Sequence, residues 1–157
     1  MSILSWLKNS IAGEMPAKME FAEHEQHLHG LDMKVALDAH AAWKGRLESQ
    51  IRGDAGETLS VATVAADSNC ALGQWIHGDG KRQFADYPEY AQLCKAHAEF
   101  HLCAGGILSD AHDGNTVAAD EALKKNFRHH SDAVQLALVR LYAKETELQR
   151  ASHGAHR

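Results

Sequence analysis

From Leu123 to Leu141 the side chains Leu123, Phe127, His130, Val134, Ala137 and Leu141 follow one another in steps of four and three residues. A helix turns once every 3.6 residues, so this alternation lines up all six on one face and leaves the opposite face to polar groups. The stripe predicts a helix from about residue 117 to 148. The rest of the chain repeats the pattern between polar breaks, and no segment shows a convincing strand alternation. Leu4, Leu7, Ile11 and Met15, with Trp6 beside them, predict a short amphipathic helix over 2–15 that stops before Pro16. A long helix is expected from about Phe21 to Arg52, carrying Leu28, Leu31, Val35, Leu47 and Ile51. The turn-rich segment 53–58 (GDAGET) ends it. A further helix begins near Leu59, and a short piece through Trp75 and Ile76 stops at His77-Gly78-Asp79-Gly80. Pro88 opens the next helix, which runs to about Asp110 and halts at Asp113-Gly114-Asn115.

Amphipathic helices with short connections bury their apolar stripes by packing side by side. The expected fold is all-α: an antiparallel four-helix bundle over residues 21–149, after an N-terminal amphipathic segment, 1–20, and before a flexible tail, 150–157. The N-terminal helix has two readings, packing on its own domain or a second copy, or docking on a partner protein or membrane surface.

Charge and cysteine content narrow the function. Lys plus Arg number 16 against 21 for Asp plus Glu, a formal net charge of −5. Without a basic surface to neutralise phosphates, the balance argues against nucleic acid as a partner. Three cysteines, an odd number, make no disulfide framework and suit a reducing compartment. There is neither a secretory leader nor an apolar run long enough for a transmembrane segment, so a soluble, cytoplasmic protein is expected.

Twelve histidines in 157 residues point towards metal or proton chemistry. They are scattered, which is unlike a tag, and His153 and His156 lie in the polar tail. The strongest local signal is His97-Ala98-Glu99-Phe100-His101, whose two imidazoles sit one helical turn apart and can reach one ion. Glu99 does not directly follow the first histidine, which argues against a metalloprotease. Two further motifs precede this pair: His40-Ala41-Ala42-Trp43 and Cys70-Ala71-Leu72-Gly73-Gln74-Trp75.

In order, H-x-x-W, C-x-L-G-x-W and H-x-x-F-H resemble the chemoreceptor zinc-binding (CZB) family of bacterial signalling domains. The spacings also agree: thirty residues from His40 to Cys70, twenty-seven to His97 and four to His101. The resemblance covers residues 24–105 by motif. It implies a helical bundle, usually a homodimer, with one Zn²⁺ held by His40, Cys70, His97 and His101. Trp43, Leu72, Gly73, Trp75 and Phe100 would pack around them. Related domains attach to chemoreceptors and diguanylate cyclases and sense zinc or oxidants.

Three imidazoles and a thiolate make chemical sense together. They fill a tetrahedral shell, the closed arrangement of structural or regulatory zinc, and soft sulfur with nitrogen disfavours magnesium and calcium. Cys94 precedes His97 by three residues and either approaches the metal, as a redox neighbour, or is a small buried hydrophobe. His130 is either a group supporting the site or a satisfied core histidine. Gly105-Gly106, inside a predicted helix, implies a close helix approach, a kink or a contact between copies.

The resulting expectation is a regulatory zinc sensor, not an enzyme, that responds to zinc or to oxidation of Cys70. With no cyclase, kinase or DNA-binding segment in view, it would signal in trans to a chemotaxis or cyclic-di-GMP protein. A zinc buffer without signalling is the alternative, followed by a metal-dependent hydrolase. A di-iron bundle lacks its E-x-x-H motif beside the candidate ligands.

Overall fold

In the computed structural model, which describes residues 3–11, 19 and 21–155, the chain is an all-α helical bundle with a minimal two-stranded ladder. The long helices are α2 (Met33–Arg52), α6 (Pro88–His112) and the pair α7 (Thr116–Ala122) and α8 (Arg128–Gly154). Between α7 and α8 the residues Leu123–Phe127 form a π-helical turn with helical backbone angles on both sides, so the two make one long rod. The turn at 113–115 sends this rod back along α6, as a short helix connection requires. The fourth side is not one helix. It is assembled from α3 (Val61–Ala65), α4 (Ala71–Trp75), a π-helical turn at Ile76–Gly80 and α5 (Lys81–Phe84).

The expected last stripe is buried as predicted at Leu123, Phe127, Val134, Ala137 and Leu141, while His130 is only half-buried. Pro88 opens α6 and Gly114, with φ +80°, lies in the turn that follows it.

The stretch before α2 departs from expectation. Residues 21–32 are not helical: β1 (His27–Leu28) pairs antiparallel with β2 (Leu31–Asp32) across a turn at His29 and Gly30. Both turn residues have positive φ, +42° and +86°, the geometry of a tight hairpin that glycine makes accessible. Leu28 and Leu31 are buried all the same, so their helical spacing was satisfied by a hairpin. Asp32 then caps α2, its carboxylate accepting from Val35 N–H at 3.0 Å and from the Gln26 amide. Those bonds hold its carboxyl below the ordinary range, the Val35 N–H most strongly. Val35 itself is 58% exposed, because the helix starts at Met33 and turns that position to solvent.

The N-terminal helix α1 (Ile3–Ile11) lies on α8 and buries Ile3 and Trp6. Of its two readings, packing on its own domain is what the structure displays. Met15, Pro16 and the end of that segment lie outside the described residues, as does His156. The tail residues Arg150–Gly154 continue α8 as exposed helix. Among the described residues no helix is long and apolar enough to cross a membrane.

The two adjacent glycines of α6 have different environments. A Cβ on Gly105 would stand 2.7 Å from the Ala65 Cβ, so α3 and α6 touch there backbone to backbone. Gly106 faces open space. Gly105→Ala is expected to destabilise the fold by about 1–3 kcal/mol through overpacking. Gly106→Ala is expected to be neutral or to stabilise by up to about 1 kcal/mol, since it only removes glycine's entropic cost in a helix. Denaturant unfolding of both variants checks this.

Candidate metal centre

Three segments deliver the four candidate ligands. His40 sits in the middle of α2, and His97 and His101 lie one turn apart on α6. Cys70 is the residue that caps α4, its sulfur accepting the Gly73 N–H at 3.3 Å. The turn 67–70 that carries it fits only because residue 73 is glycine. A Cβ there would lie 1.7 Å from the Asp67 carbonyl oxygen and 3.2 Å from His97 Cε1. The glycine of C-x-L-G-x-W is therefore a spacer that lets the cysteine turn close onto α6.

The four side chains converge. Cys70 Sγ lies 3.2 Å from His97 Nε2, 3.5 Å from His101 Nε2 and 3.8 Å from His40 Nε2. His97 Nε2 is 3.1 Å from both His40 Nε2 and His101 Nε2. A zinc tetrahedron with metal–nitrogen bonds near 2.05 Å and a metal–sulfur bond near 2.3 Å has edges of about 3.3 Å and about 3.6 Å. Among the described residues this is the one group whose ligand atoms come together in this way, all within 4.8 Å.

Hydrogen bonding fixes what these nitrogens present. His40 Nδ1 is 2.7 Å from the Ala36 carbonyl and His101 Nδ1 is 2.8 Å from the Val64 carbonyl. A carbonyl only accepts, so both Nδ1 atoms carry the proton and both Nε2 atoms of the neutral rings are bare lone pairs. His97 Nε2 faces the two of them at once and could donate to only one. The centre is a group of lone pairs without enough protons to pair them, and a cation is what such a group holds.

The electrostatics agree. Burial lowers the pKa of His40 and His101, and the neighbouring His101 adds to the effect on His40. His97 is pulled down to about 3, by burial first and then by His101, His40 and His77. All three rings are thus neutral ligands at neutral pH. Burial raises the Cys70 thiol, and the nearby Asp67 carboxylate pushes the same way. The thiolate therefore depends on a cation to form, and metal binding releases its proton. Cys70 is also the one partly exposed member of the four.

Of the surrounding residues, Phe100 is fully buried and sets its ring edge-on to His40 and His101, with centroids 5.0 and 5.3 Å away. Leu72 is buried beside Gly73. Trp75 packs further off, against Gly80 and Phe84, and its indole N–H donates to the His29 carbonyl at 2.9 Å. Trp43 lies half-buried under the Arg46 guanidinium, 3.9 Å from its ring. Cys94 and His130 do not join the converging group. Cys94 interacts with the Tyr90 hydroxyl, which burial above all, and Cys94 next, push up to about 12. His130 lines a groove with Glu99, Cys103 and Asp110 between α6 and the final rod. Sequence reasoning missed Asp67 and the carbonyls of Ala36 and Val64. The i−4 position of Ala36 relative to His40 was the only readable signal.

Over residues 40–108 the sequence matches the family model of the chemoreceptor zinc-binding domain, a span that begins at His40 and contains all four converging residues. That part of the chain is similar to a chemoreceptor zinc-binding domain. Neither the curated proteins nor the solved structures contain a match. The CZB span includes α3 to α5 and most of α2 and α6, and α8 completes the core around it.

The depressed imidazoles make a prediction for the chelator-treated protein. Their folded pKa values lie below the ordinary 6.5, so below about pH 6.5 the unfolded chain binds more protons than the folded one. Stability should be fully present above that pH and decline as pH falls towards 3, the value for His97. Thermal unfolding in excess chelator is expected to show a falling midpoint between pH 7 and pH 5, and a flat profile would contradict it.

Proposed function

We propose that His40, Cys70, His97 and His101 hold one Zn²⁺ in a closed tetrahedral shell, and that the protein is a regulatory zinc-binding module, not an enzyme. The observation that carries the reading is the convergence of three imidazole nitrogens, two of them bare, and one sulfur, with five of the six separations at 3.1–3.8 Å, near the edges of a zinc tetrahedron. Four protein donors leave no open position for water or substrate, which separates this centre from a catalytic zinc. Bound zinc would supply the positive charge that keeps Cys70 ionised and ties the Cys70 turn to α2 and α6.

Regulation would act through Cys70. It is the least buried ligand, and it belongs to a short segment where the other three belong to long helices. Falling free zinc would release that segment. A peroxide would do so as well: the thiolate sulfur attacks one peroxide oxygen, the O–O bond breaks, and the departing hydroxide takes up a proton. The resulting sulfenic acid is a weaker ligand. Release of α4 would loosen its contacts with the hairpin through Trp75 and bias the bundle between two states. The output would be exerted in trans, by a homodimer in the cytoplasm of a bacterium, on a chemoreceptor or a diguanylate cyclase. A zinc buffer would use the same centre without a partner that responds.

Elemental analysis of purified protein should find about one zinc per chain, with Cys70→Ala and His101→Ala both binding more weakly. Peroxide should release zinc from the wild type, and Cys70→Ala should lose that response. Undiminished zinc binding in Cys70→Ala would sink the thiolate switch, and full retention in both variants would sink the four-ligand site.

A further inference from the structure

Two of the three ligating rings are oriented by backbone carbonyls, and the third is not. His97 is completely buried, and its Nδ1 is a buried polar atom with no hydrogen-bond partner. The group facing it is a carboxylate: Asp67 Oδ2 stands 3.9 Å away. The same oxygen lies 3.1 Å from Nε2 of His77, an exposed histidine on the kinked π-helical turn after α4. We propose that Asp67, shared between the buried His97 and the surface His77, is the positioning residue of the centre: it receives the His97 Nδ1–H and balances the charge of the cation. The inference rests on the zinc-site reading of the four ligands.

Geometry carries the assignment. The backbone of Asp67 is fixed against Gly73, where no larger residue would fit, which keeps its carboxylate within reach of His97. A side-chain shift of about 1 Å turns the 3.9 Å approach into an ordinary hydrogen bond. Once made, the bond fixes the proton on Nδ1 and leaves Nε2 bare, the state that the Ala36 and Val64 carbonyls impose on His40 and His101. All three rings would then be held from behind by an oxygen.

Charge points the same way. Zn²⁺ with one thiolate and three neutral imidazoles carries about +1, and a net charge is costly in a largely buried site. Asp67 brings the sum to about zero. A carbonyl could orient His97 equally well, but it could not neutralise the centre. Asp67 also sits three residues before Cys70 in the same turn, so release of the cysteine would withdraw the carboxylate from His97.

The test compares zinc dissociation constants, measured by competition with a chromophoric chelator, for the full chain and for Asp67→Ala, Asp67→Asn and His77→Gln. Unfolding of the metal-free proteins is measured alongside. Asp67→Ala is expected to weaken zinc about 10–100-fold. Asp67→Asn, which keeps an acceptor oxygen and nearly the same shape, should fall between it and wild type. His77→Gln should stay within about threefold of wild type. The metal-free midpoint of Asp67→Asn, which keeps an acceptor oxygen for both histidines, should stay close to that of wild type. In the zinc-loaded protein, the Nδ1–H resonance of His97 should move in Asp67→Asn while those of His40 and His101 stay. Equal zinc affinity in wild type and Asp67→Asn, with an unmoved resonance, would overturn the proposal. So would a loss in His77→Gln as large as that in Asp67→Ala. Failure of wild type to bind zinc at all would remove the metal centre itself, an outcome distinct from equal binding by the variants.

Discussion

Three imidazoles are buried against one another where α2, α4 and α6 meet, and the packing around them is organised by that fact. Burial strips the rings of water, and the protein answers on one side only. The outward nitrogens of His40 and His101 are bonded to the Ala36 and Val64 carbonyls, that of His97 has the Asp67 carboxylate 3.9 Å away, and the inward nitrogens gather around the Cys70 sulfur at 3.2–3.8 Å. Without a cation such an arrangement is a set of unpaired lone pairs in a low-dielectric interior. With one it becomes a clamp on three segments of chain.

The bundle is shaped to make that clamp possible. Gly105 brings the α3 backbone against α6, which sets the Val64 carbonyl over His101. Gly73 lets the 67–70 turn close down, so that Cys70 and Asp67 reach the histidines from one side. The kink at Gly78 and the Tyr90 hydroxyl, which donates to the Ile76 carbonyl at 2.6 Å, then fasten the segment after α4 to α6. The side carrying the cysteine is thus built from short, interrupted helices. The long helices, which carry the histidines, have far more contact to lose. A change in ligation would spread through the weaker side first.

The four converging residues were legible in the sequence because histidine and cysteine have few other reasons to recur at these intervals. The stripe of the final helix was legible because its residues need only face one direction, and periodicity records direction. Residues 21–32 misled for a related reason. Leu28 and Leu31 lie three apart, which suits a helix, yet a hairpin with positive φ at His29 and Gly30 buries both. Local spacing does not distinguish the two when only a pair of apolar residues is involved. The short piece through Trp75 and Ile76 was expected to stop at His77-Gly78-Asp79-Gly80; both residues are buried, but the chain only kinks at Gly78 and goes on as helix to Phe84.

What the sequence determined by itself was the identity of the converging residues and the helical class, both of which follow from residue type and spacing. What only the tertiary structure decided was orientation. Whether His97 or Cys94 faces the centre, and whether Trp43 packs beside it or under Arg46, depends on helix rotation. Which oxygen stands behind each ring depends on contacts between segments up to 37 residues apart, as between Val64 and His101. Those contacts are set by where backbones can approach, and a sequence read one segment at a time does not contain the distances between segments.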